Sequence, residues 1–273
     1  MRHLLIGLPL LALATPALAG NPYVEIAAGT ADARSNDIDE TIDYSTTQTP
    51  ATPLANGPAD VFVDDVFGTR TKKRLEGAVA AGYDFGWLRL EGELSHKSLK
   101  TSRIAADDAS EDFLSQLNAG LNRPSAAPDP GAPGLPALTL ADFQRPGSIK
   151  VTSAMANAVF DWRVAKRATL FAGGGVGRSW VRGFGDKDGA RSWQWTVGAR
   201  TPIGERFELG VKYRYFDSGM IKLVDDPRSF TGNPDTVSVG GTSVDRLTSA
   251  AVTQDLEGDV RTRSLLLTLG MHF

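Results

Sequence analysis

The chain has 273 residues, no cysteine and a formal net charge of −3. The lack of cysteine excludes disulfides, thiolate metal sites and a lipid-modified N-terminal cysteine, and the slightly acidic balance does not favour nucleic acid as a partner. A hydrophobic content of 41% and a mean hydropathy of −0.17 fit a soluble protein. They fit equally a membrane barrel, whose strands give only half of their residues to lipid, so periodicity has to separate the two classes.

The first 19 residues have the three parts of a secretory signal peptide. Arg2 supplies the positive charge, residues 4–14 form an apolar run, and residues 17–19 supply the small side chains that signal peptidase reads. The run is shorter than the about 20 residues that a transmembrane helix requires. We predict a signal peptide over residues 1–19 and one barrel domain over residues 20–273; the alternative is a buried N-terminal helix.

Eight segments of the remaining chain alternate apolar residues with polar or small ones at a period of two, as β-strands do. In one of them, Leu88 and Leu90 alternate with Arg89 and Glu91. Most of the segments are close to the about 9–11 residues that a tilted membrane strand needs. The eight segments are residues 23–29, 75–85, 87–96, 150–162, 169–181, 192–200, 207–216 and 263–273.

The connections between these segments alternate in length. Short links lie near residues 85–86, 164–167 and 202–205. Long links lie near residues 30–73, 101–148 and 222–258, and a shorter one lies near residues 183–190. Membrane barrels combine short periplasmic turns with longer outer loops, whereas a soluble β-sandwich has no reason to keep its long loops at one end.

Two further patterns refine this interpretation. Aromatic residues fall near both ends of the segments, which is typical of the two membrane interfaces. Residues 108–119 carry a weak helix-start signal, with apolar side chains at Phe113 and Leu117. The sequence therefore predicts an all-β fold: an eight-stranded antiparallel transmembrane up-and-down β-barrel with long extracellular loops and periplasmic N- and C-termini.

Seven short motifs occur in the order expected of a known family: PYVEIAAG at 22–29, GYD at 82–84, LEGEL at 90–94, MANAVFD at 155–161, FAGGGVG at 171–177, ELGVKYRYFDS at 208–218 and the terminal Phe273. With these motifs the chain resembles the eight-stranded outer-membrane barrels of the opacity-protein and bacterial surface-antigen type, and the transmembrane domain of outer membrane protein A. The resemblance implies integration in the outer membrane of a Gram-negative cell envelope, with exposed, variable loops. It also implies that Phe273 is the assembly signal read by the barrel-assembly machinery.

The interior of an eight-stranded barrel is just wide enough to be filled by side chains, and a buried charge there has to be paired. We predict a salt-bridge network that fixes shape and register; the alternative is a narrow, gated ion path through exchangeable pairs. The candidate ion-pair residues of the lumen are Glu25, Glu76, Arg89, Glu91, Glu93, Asp161, Arg200, Glu208, Lys212 and Arg214.

Three arginines lie toward the outer ends of their strands, where guanidinium groups suit phosphate. Arg178, Arg261 and Arg263 are therefore candidate contacts for lipopolysaccharide, and the alternative is a solvated basic rim. Ser95 and His96 are adjacent on one strand and so point to opposite faces, which argues against a nucleophile–base pair. The glycines at 173–177 lack the helix and lysine of a phosphate loop and suit a bent barrel wall instead.

These observations predict a non-enzymatic integral outer-membrane barrel with a structural or surface-interaction role. The alternatives are a narrow, porin-like ion channel and a barrel enzyme that modifies lipid A or phospholipid. We predict no catalytic residue, cofactor or metal site. The expected partners are outer-membrane lipid and lipopolysaccharide, the barrel-assembly machinery during biogenesis, and an extracellular partner bound through the loops.

Overall fold

The computed structural model describes residues 20–33, 37–49, 56–72, 74–105, 108–123, 134–143, 148–183 and 185–273. The predicted signal peptide, residues 1–19, lies outside these ranges. Twelve strands and two helices form within the described residues. They are β1 (Asn21–Ala33), β2 (Asp37–Thr49), β3 (Val61–Lys72), β4 (Arg74–Asp84), β5 (Leu88–Ala105), α1 (Asp108–Gly120), α2 (Leu140–Phe143), β6 (Ser148–Ala165), β7 (Ala168–Gly183), β8 (Asp186–Ile203), β9 (Phe207–Val224), β10 (Arg228–Thr231), β11 (Asp235–Val239) and β12 (Thr242–His272).

Eight of these strands close into an antiparallel ring in the order β1, β4, β5, β6, β7, β8, β9 and β12. The ring closes where β1 pairs with β12 in an unbroken register, from Tyr23 opposite His272 to Ala33 opposite Thr262. Closure satisfies the backbone hydrogen bonds of every strand in the ring and leaves no open edge there. The predicted fold class, an eight-stranded antiparallel barrel, is confirmed.

Three tight turns join neighbouring strands of the ring at one end, which we call the turn end: residues 85–87, 166–167 and 204–206. Gly86 and Gly204 adopt φ values of +90° and +77° in two of these turns, a region that residues with a Cβ rarely occupy. The short links of the sequence prediction thus lie where they were expected. The opposite end, which holds the two helices and β2, β3, β10 and β11, is called the long end.

The wall of the barrel continues well into segments that the sequence predicts as loops. β12 is 31 residues long and pairs with β1 near the turn end, then with β2 near the long end. Within residues 30–73, β2 and β3 pair with each other. Toward the long end, β2 also pairs with β12 and β3 with β5, so this hairpin completes the wall between β12 and β5. The alternation is weak in this part of the wall because threonine and aspartate occupy outward positions that apolar residues fill closer to the turn end.

Large apolar side chains cover the outside of the ring. This inside-out arrangement is the one that a lipid environment requires, since exterior residues contact hydrocarbon and interior ones do not. The exposed apolar residues include Val24, Ile26, Leu75, Val79, Tyr83, Leu90, Leu94, Phe160, Trp162, Leu170, Val176, Trp193, Val197, Leu209, Val211, Leu265, Leu267, Leu269 and Phe273. Within the described ranges, neither helix is long and apolar enough to cross a membrane.

The predicted helix near residues 108–119 is present as α1, and it packs against β3 at the long end. Asp108 and Glu111 lie in its first turn, where negative charge stabilises the helix dipole. Phe113 is fully buried and meets the ring of Phe143 of α2 edge-on, at 5.4 Å between centroids. The Asn118 side chain holds the segment before α2, because it donates to Leu138 O at 2.9 Å and accepts from Leu138 N at 2.7 Å.

A hydrophobic core fills the barrel beneath these helices, and we call it the apolar plug. It is built from inward-facing side chains of the long strands and from the buried faces of α1 and α2. Its members include Ile42, Leu99, Phe113, Leu117, Leu121, Phe143, Ile149, Val151, Val181, Phe216, Ile221, Leu223, Val252 and Leu256. The interior therefore has two parts, a polar one toward the turn end and an apolar one toward the long end.

The packing of α1 and the stability of the eight-stranded ring should be separable by mutation. We expect Phe113→Ala to destabilise the packing of α1 by about 3–5 kcal/mol, the usual cost of truncating a buried phenylalanine. Hydrogen exchange should become faster in residues 108–123, while the ring keeps its heat-modifiable mobility on a semi-native gel. Gln116→Ala, at an exposed position of the same helix, is the matched control. Unchanged exchange in the Phe113 variant would contradict the assigned packing.

Candidate functional site

The candidate site is the polar part of the barrel interior. Side chains two residues apart on a strand share a face, so the ring points one set from each strand inward. All ten predicted lumen residues point inward, eight of them buried, with Arg200 and Glu208 partly exposed at the turn end. The strands that supply them are β1, β4, β5, β6, β8 and β9.

Arg214 is the centre of an upper cluster, next to the apolar plug. Its Nη1 donates to Glu76 Oε1 and its Nη2 donates to Glu93 Oε2, each at 2.8 Å. Lys97 Nζ lies 3.4 Å from the same Glu76 oxygen and 3.8 Å from the centroid of the Phe216 ring. One guanidinium thus joins two strands across the lumen, and one ammonium sits where the polar and apolar parts meet.

A lower cluster lies toward the turn end. Arg89 Nε and Arg200 Nη2 both contact Asp161 Oδ2, at 2.8 and 2.9 Å. Arg200 also reaches Glu208 at 2.5 Å. Lys212 Nζ donates to Glu25 Oε1 at 2.5 Å. Two arginines on different strands therefore share one carboxylate.

Neutral side chains connect the two clusters. Tyr23 and Asn157 both donate to Glu91, the latter at 3.1 Å. Gln194 Nε2 donates to Asn157 Oδ1 at 2.9 Å and to Glu93 Oε1 at 3.2 Å. Glu91 thus has two hydrogen-bond donors, as a buried carboxylate requires.

Sequence reasoning missed Lys97 and the tyrosine of this network. Lys97 follows Glu93 and Ser95 on the same inward face of β5, but the predicted strand ended at residue 96, whereas β5 extends to Ala105. Tyr23 shares its face with Glu25, and its buried side chain shows that it is a lumen residue. The period of two was the signal that would have found both: Tyr23 already lay in the predicted segment 23–29, and Lys97 lay one residue beyond the predicted segment 87–96.

The buried charges of the network nearly balance. Four cations, Arg89, Lys97, Lys212 and Arg214, share the interior with five carboxylates: Glu25, Glu76, Glu91, Glu93 and Asp161. At the turn end, the partly exposed Arg200 contacts Asp161 and two partly exposed carboxylates, those of Asp84 and Glu208. An uncompensated ion in this setting costs several kcal/mol, so the near-equality of the two signs is a condition for folding.

Ser95 and His96, which are adjacent in the sequence, do not form a catalytic pair with each other. Ser95 is buried and bonded to Ser153 at 2.7 Å, while His96 points outward and contacts Thr152 at 2.9 Å. The glycines at 173–177 lie within β7. A Cβ at Gly177 would come within 2.0 Å of Ala154 O, so glycine permits close approach of β6 there. No group of His, Asp or Glu side chains within the described ranges is arranged to hold a metal ion.

The three arginines considered for lipopolysaccharide lie in different surroundings. Arg178 is exposed on β7, and Arg263 is exposed on β12. Arg261 is ion-paired with Asp217 at 3.2 Å and with Asp259. The structure does not bring Arg178 together with the two arginines of β12. Phe273 has an exposed side chain, and its N–H donates to Pro22 O at 3.0 Å, next to the seam where β1 meets β12.

Comparisons with known proteins give one family and several solved structures. The outer membrane protein beta-barrel domain family matches residues 5–273 of the chain. No curated protein sequence matches it significantly. Neisserial surface protein A has 13% identity and a TM-score of 0.43, over 92% of this chain and 97% of that one. The attachment invasion locus protein of Yersinia pestis has 12% identity and a TM-score of 0.27, over 85% and 97%. The outer membrane protease OmpT of Escherichia coli has 10% identity and a TM-score of 0.36, over 93% and 97%.

The ion-pair network makes a prediction about stability. Arg214→Met leaves Glu76 and Glu93 without their shared guanidinium, and breaking a buried pair in this way costs about 3–5 kcal/mol. We expect a lower urea midpoint for unfolding of the refolded barrel. The variant Arg214→Met with Glu93→Gln, which removes one charge of each sign, should recover part of the loss. Arg167→Met, in an exposed turn, is the control, and an equal loss there would contradict the assignment.

Proposed function

The chain belongs to the outer membrane protein β-barrel family, and from that premise we propose that it is a closed, non-enzymatic barrel with a structural or surface-interaction role. The observation that carries the proposal is the filled interior. A paired, polar network occupies the part toward the turn end, and the apolar plug occupies the part toward the long end. A barrel filled in both parts is suited to holding a fixed shape in the membrane.

The proposed orientation puts the turn end in the periplasm and the long end outside the cell. Two features support it. Single-chain bacterial barrels have short periplasmic turns and longer outer segments. The N-terminal strand and Phe273 meet at the turn end, where Phe273 N donates to Pro22 O, as expected of an even-stranded barrel with both termini in the periplasm. Phe273 remains our candidate for the assembly signal.

The described part of the long end is suited to recognition because hydrogen bonds and ion pairs join its elements to one another. Arg246 binds Asp235 through two contacts, Nε to Oδ1 at 3.0 Å and Nη2 to Oδ2 at 2.5 Å. These hydrogen bonds raise the pKa of Arg246. Arg123 donates to Thr231 O through Nε and Nη2, at 3.0 and 2.6 Å, which ties the end of α1 to β10. A preformed surface loses little conformational entropy on binding, so this end is our candidate for contact with an extracellular partner.

Lipid contact is the second part of the proposal. The exposed apolar wall suits the hydrocarbon of the outer membrane. Arg178 and Arg263 remain candidates for lipopolysaccharide because they are exposed and free of ion pairs within the described residues. Arg261 is the weaker candidate, since Asp217 and Asp259 already neutralise its guanidinium.

A narrow ion channel is the alternative function. It would require ions to pass both the shared pairs of the network and a core in which Phe216, Val181 and Leu223 are fully buried. Hydrophobic constrictions of this kind exclude ions by dewetting. We expect refolded protein in a planar bilayer to give no steady conductance above leak, measured beside an open porin as the positive control. Steady single-channel steps would favour the channel instead.

The orientation can be tested by inserting the same protease site at two turns. Gly240–Gly241 connects β11 to β12 at the long end, and Lys166–Arg167 connects β6 to β7 at the turn end. On intact cells, added protease should cut the first insertion and leave the second uncut. After lysis, both should be cut, which controls for accessibility. Cleavage of the 166–167 site on intact cells would reverse the proposed orientation.

A lipid-modifying enzyme is the remaining alternative, and it can be tested directly. We expect lipopolysaccharide and phospholipid that are reconstituted with the purified barrel to keep their acyl chains, as read by mass spectrometry. His96→Ala should match the parent protein, because His96 points outward and its hydrogen-bond partner among the described side chains is Thr152, which is not a catalytic acid or base. Loss of an acyl chain in the parent and not in this variant would identify an enzyme.

A further inference from the structure

A row of positive charge crosses the outer face of the barrel near the long end. Lys150 on β6 lies directly opposite Arg182 on β7, and Arg182 lies directly opposite Lys187 on β8. Nearer the turn end, Arg178 lies opposite Arg191. All five side chains are exposed. Directly opposed residues of antiparallel strands have Cβ atoms about 4.5–5.5 Å apart, so these cations are close neighbours.

Four of these five cations, Lys150, Arg178, Arg182 and Lys187, line an open depression of about 530 Å³ in the barrel surface. Trp180 and His96 are among the other residues that line it. One carboxylate, that of Asp188, also borders it. Its two oxygens accept hydrogen bonds from backbone groups, Gly189 N at 2.7 Å and Lys222 N at 2.9 Å. Because four cations face this single carboxylate, the net charge of the depression is positive.

This cluster lacks the pairing found elsewhere in the barrel. Within the described residues, no carboxylate oxygen lies within 4.0 Å of the charged groups of Lys150, Arg178, Arg182, Lys187 or Arg191. In the lumen, by contrast, arginines and lysines contact one to three acids each. Like charges directly opposite one another destabilise a sheet. An external anion that bound between them would remove this cost.

The position of the row indicates what kind of anion it meets. Immediately toward the turn end, Val176 and Trp193 lie opposite each other, and the side chain of Val176 is 68% exposed. Trp180, 47% exposed, lies between the two levels of cations. Tryptophan favours the boundary between hydrocarbon and headgroups. The cations thus sit at headgroup height, above a wall that suits acyl chains, so a phosphate carried on a lipid fits better than a free one.

We propose that this depression binds the phosphorylated headgroup of lipid A, with acyl chains along the apolar wall below it. The proposal rests on the orientation above, which turns the long end toward the outer leaflet. Arg178 and Arg182 are four residues apart on β7, about 13 Å at the usual rise per residue. That spacing suits a headgroup with two phosphates, one at each level of cations and the sugar beside Trp180. Guanidinium binds phosphate through two parallel hydrogen bonds, which lysine alone does not provide.

The test is native mass spectrometry of the refolded full chain in neutral detergent, titrated with lipid A. The parent protein should retain one lipid A. The variant with Lys150→Gln, Arg182→Gln and Lys187→Gln should bind at least about tenfold more weakly, since one charge-assisted hydrogen bond is worth that much. The matched control removes the same charge at the turn end, by Lys166→Gln, Arg167→Gln and Arg206→Gln, and should bind like the parent. Equal binding by the first variant, or equal loss in the control, would overturn the site.

Other ligands test which features of lipid A the site recognises, namely its two phosphates and its acyl chains. Monophosphoryl lipid A should bind more weakly than lipid A, because one level of cations loses its partner. Phosphatidylglycerol should bind more weakly still, and inorganic phosphate should not displace lipid A. Displacement by inorganic phosphate, or equal binding of phosphatidylglycerol, would overturn the assignment to a two-phosphate lipid headgroup.

Thermal stability gives a readout that does not depend on binding in the mass spectrometer. Without lipid A, the charge-removal variant should unfold at the same or a higher temperature than the parent, because repulsion within the row is gone. Added lipid A should raise the transition of the parent and not that of the variant. A heat-modifiability gel checks that each variant is folded. The two proposals can fail separately. If the refolded protein binds lipid A as expected but intact cells are cut at the 166–167 insertion, the lipid site stands and the proposed orientation is wrong.

Discussion

A ring of eight strands leaves room inside for side chains and little else, so charges that point inward have to meet opposite charges. The other features of the wall depend on this constraint. Arg214 can face the lumen because Glu76 and Glu93 face it from two neighbouring strands, and Asp161 can do so because two arginines converge on it. A shift of one residue in any strand would turn its charges into lipid, so the network and the strand register specify each other.

The interior is polar toward the turn end and apolar toward the long end, and at each level it is the reverse of the outer face. Within the membrane section, the outer face is apolar and the inner face carries the ion pairs. Toward the long end, the strands extend beyond the apolar part of the outer face. There the wall has the arrangement of a soluble protein, with apolar residues inside and polar ones outside. Lys97 marks the transition, since it contacts Glu76 on one side and the ring of Phe216 on the other.

The row of cations on the outer surface, unlike the cations in the lumen, is not paired with nearby carboxylates of the described residues. Inside, cations are paired by residues of the same chain, because burial withdraws their charged groups from solvent. On the outer face, Lys150, Arg182 and Lys187 are aligned, and no carboxylate oxygen of the described residues lies within 4.0 Å of their charged groups. Such a row is tolerable where water or an anionic headgroup supplies the counter-charge. The same residue types therefore serve as structure in the lumen and as a candidate lipid site on the wall.

The sequence by itself determined the ring of eight strands, the facing of their side chains and the ten inward charges, because a period of two is a local property that each strand carries alone. It did not determine which charges meet. Arg89 and Asp161 are 72 positions apart, and Arg214 and Glu76 are 138 apart, so their pairing depends on how the ring closes. The wall at the long end, the apolar plug and the cation row likewise became visible only in the tertiary structure. Residues there have mixed or weak alternation, and only the register between neighbouring strands shows that Lys150, Arg182 and Lys187 stand side by side.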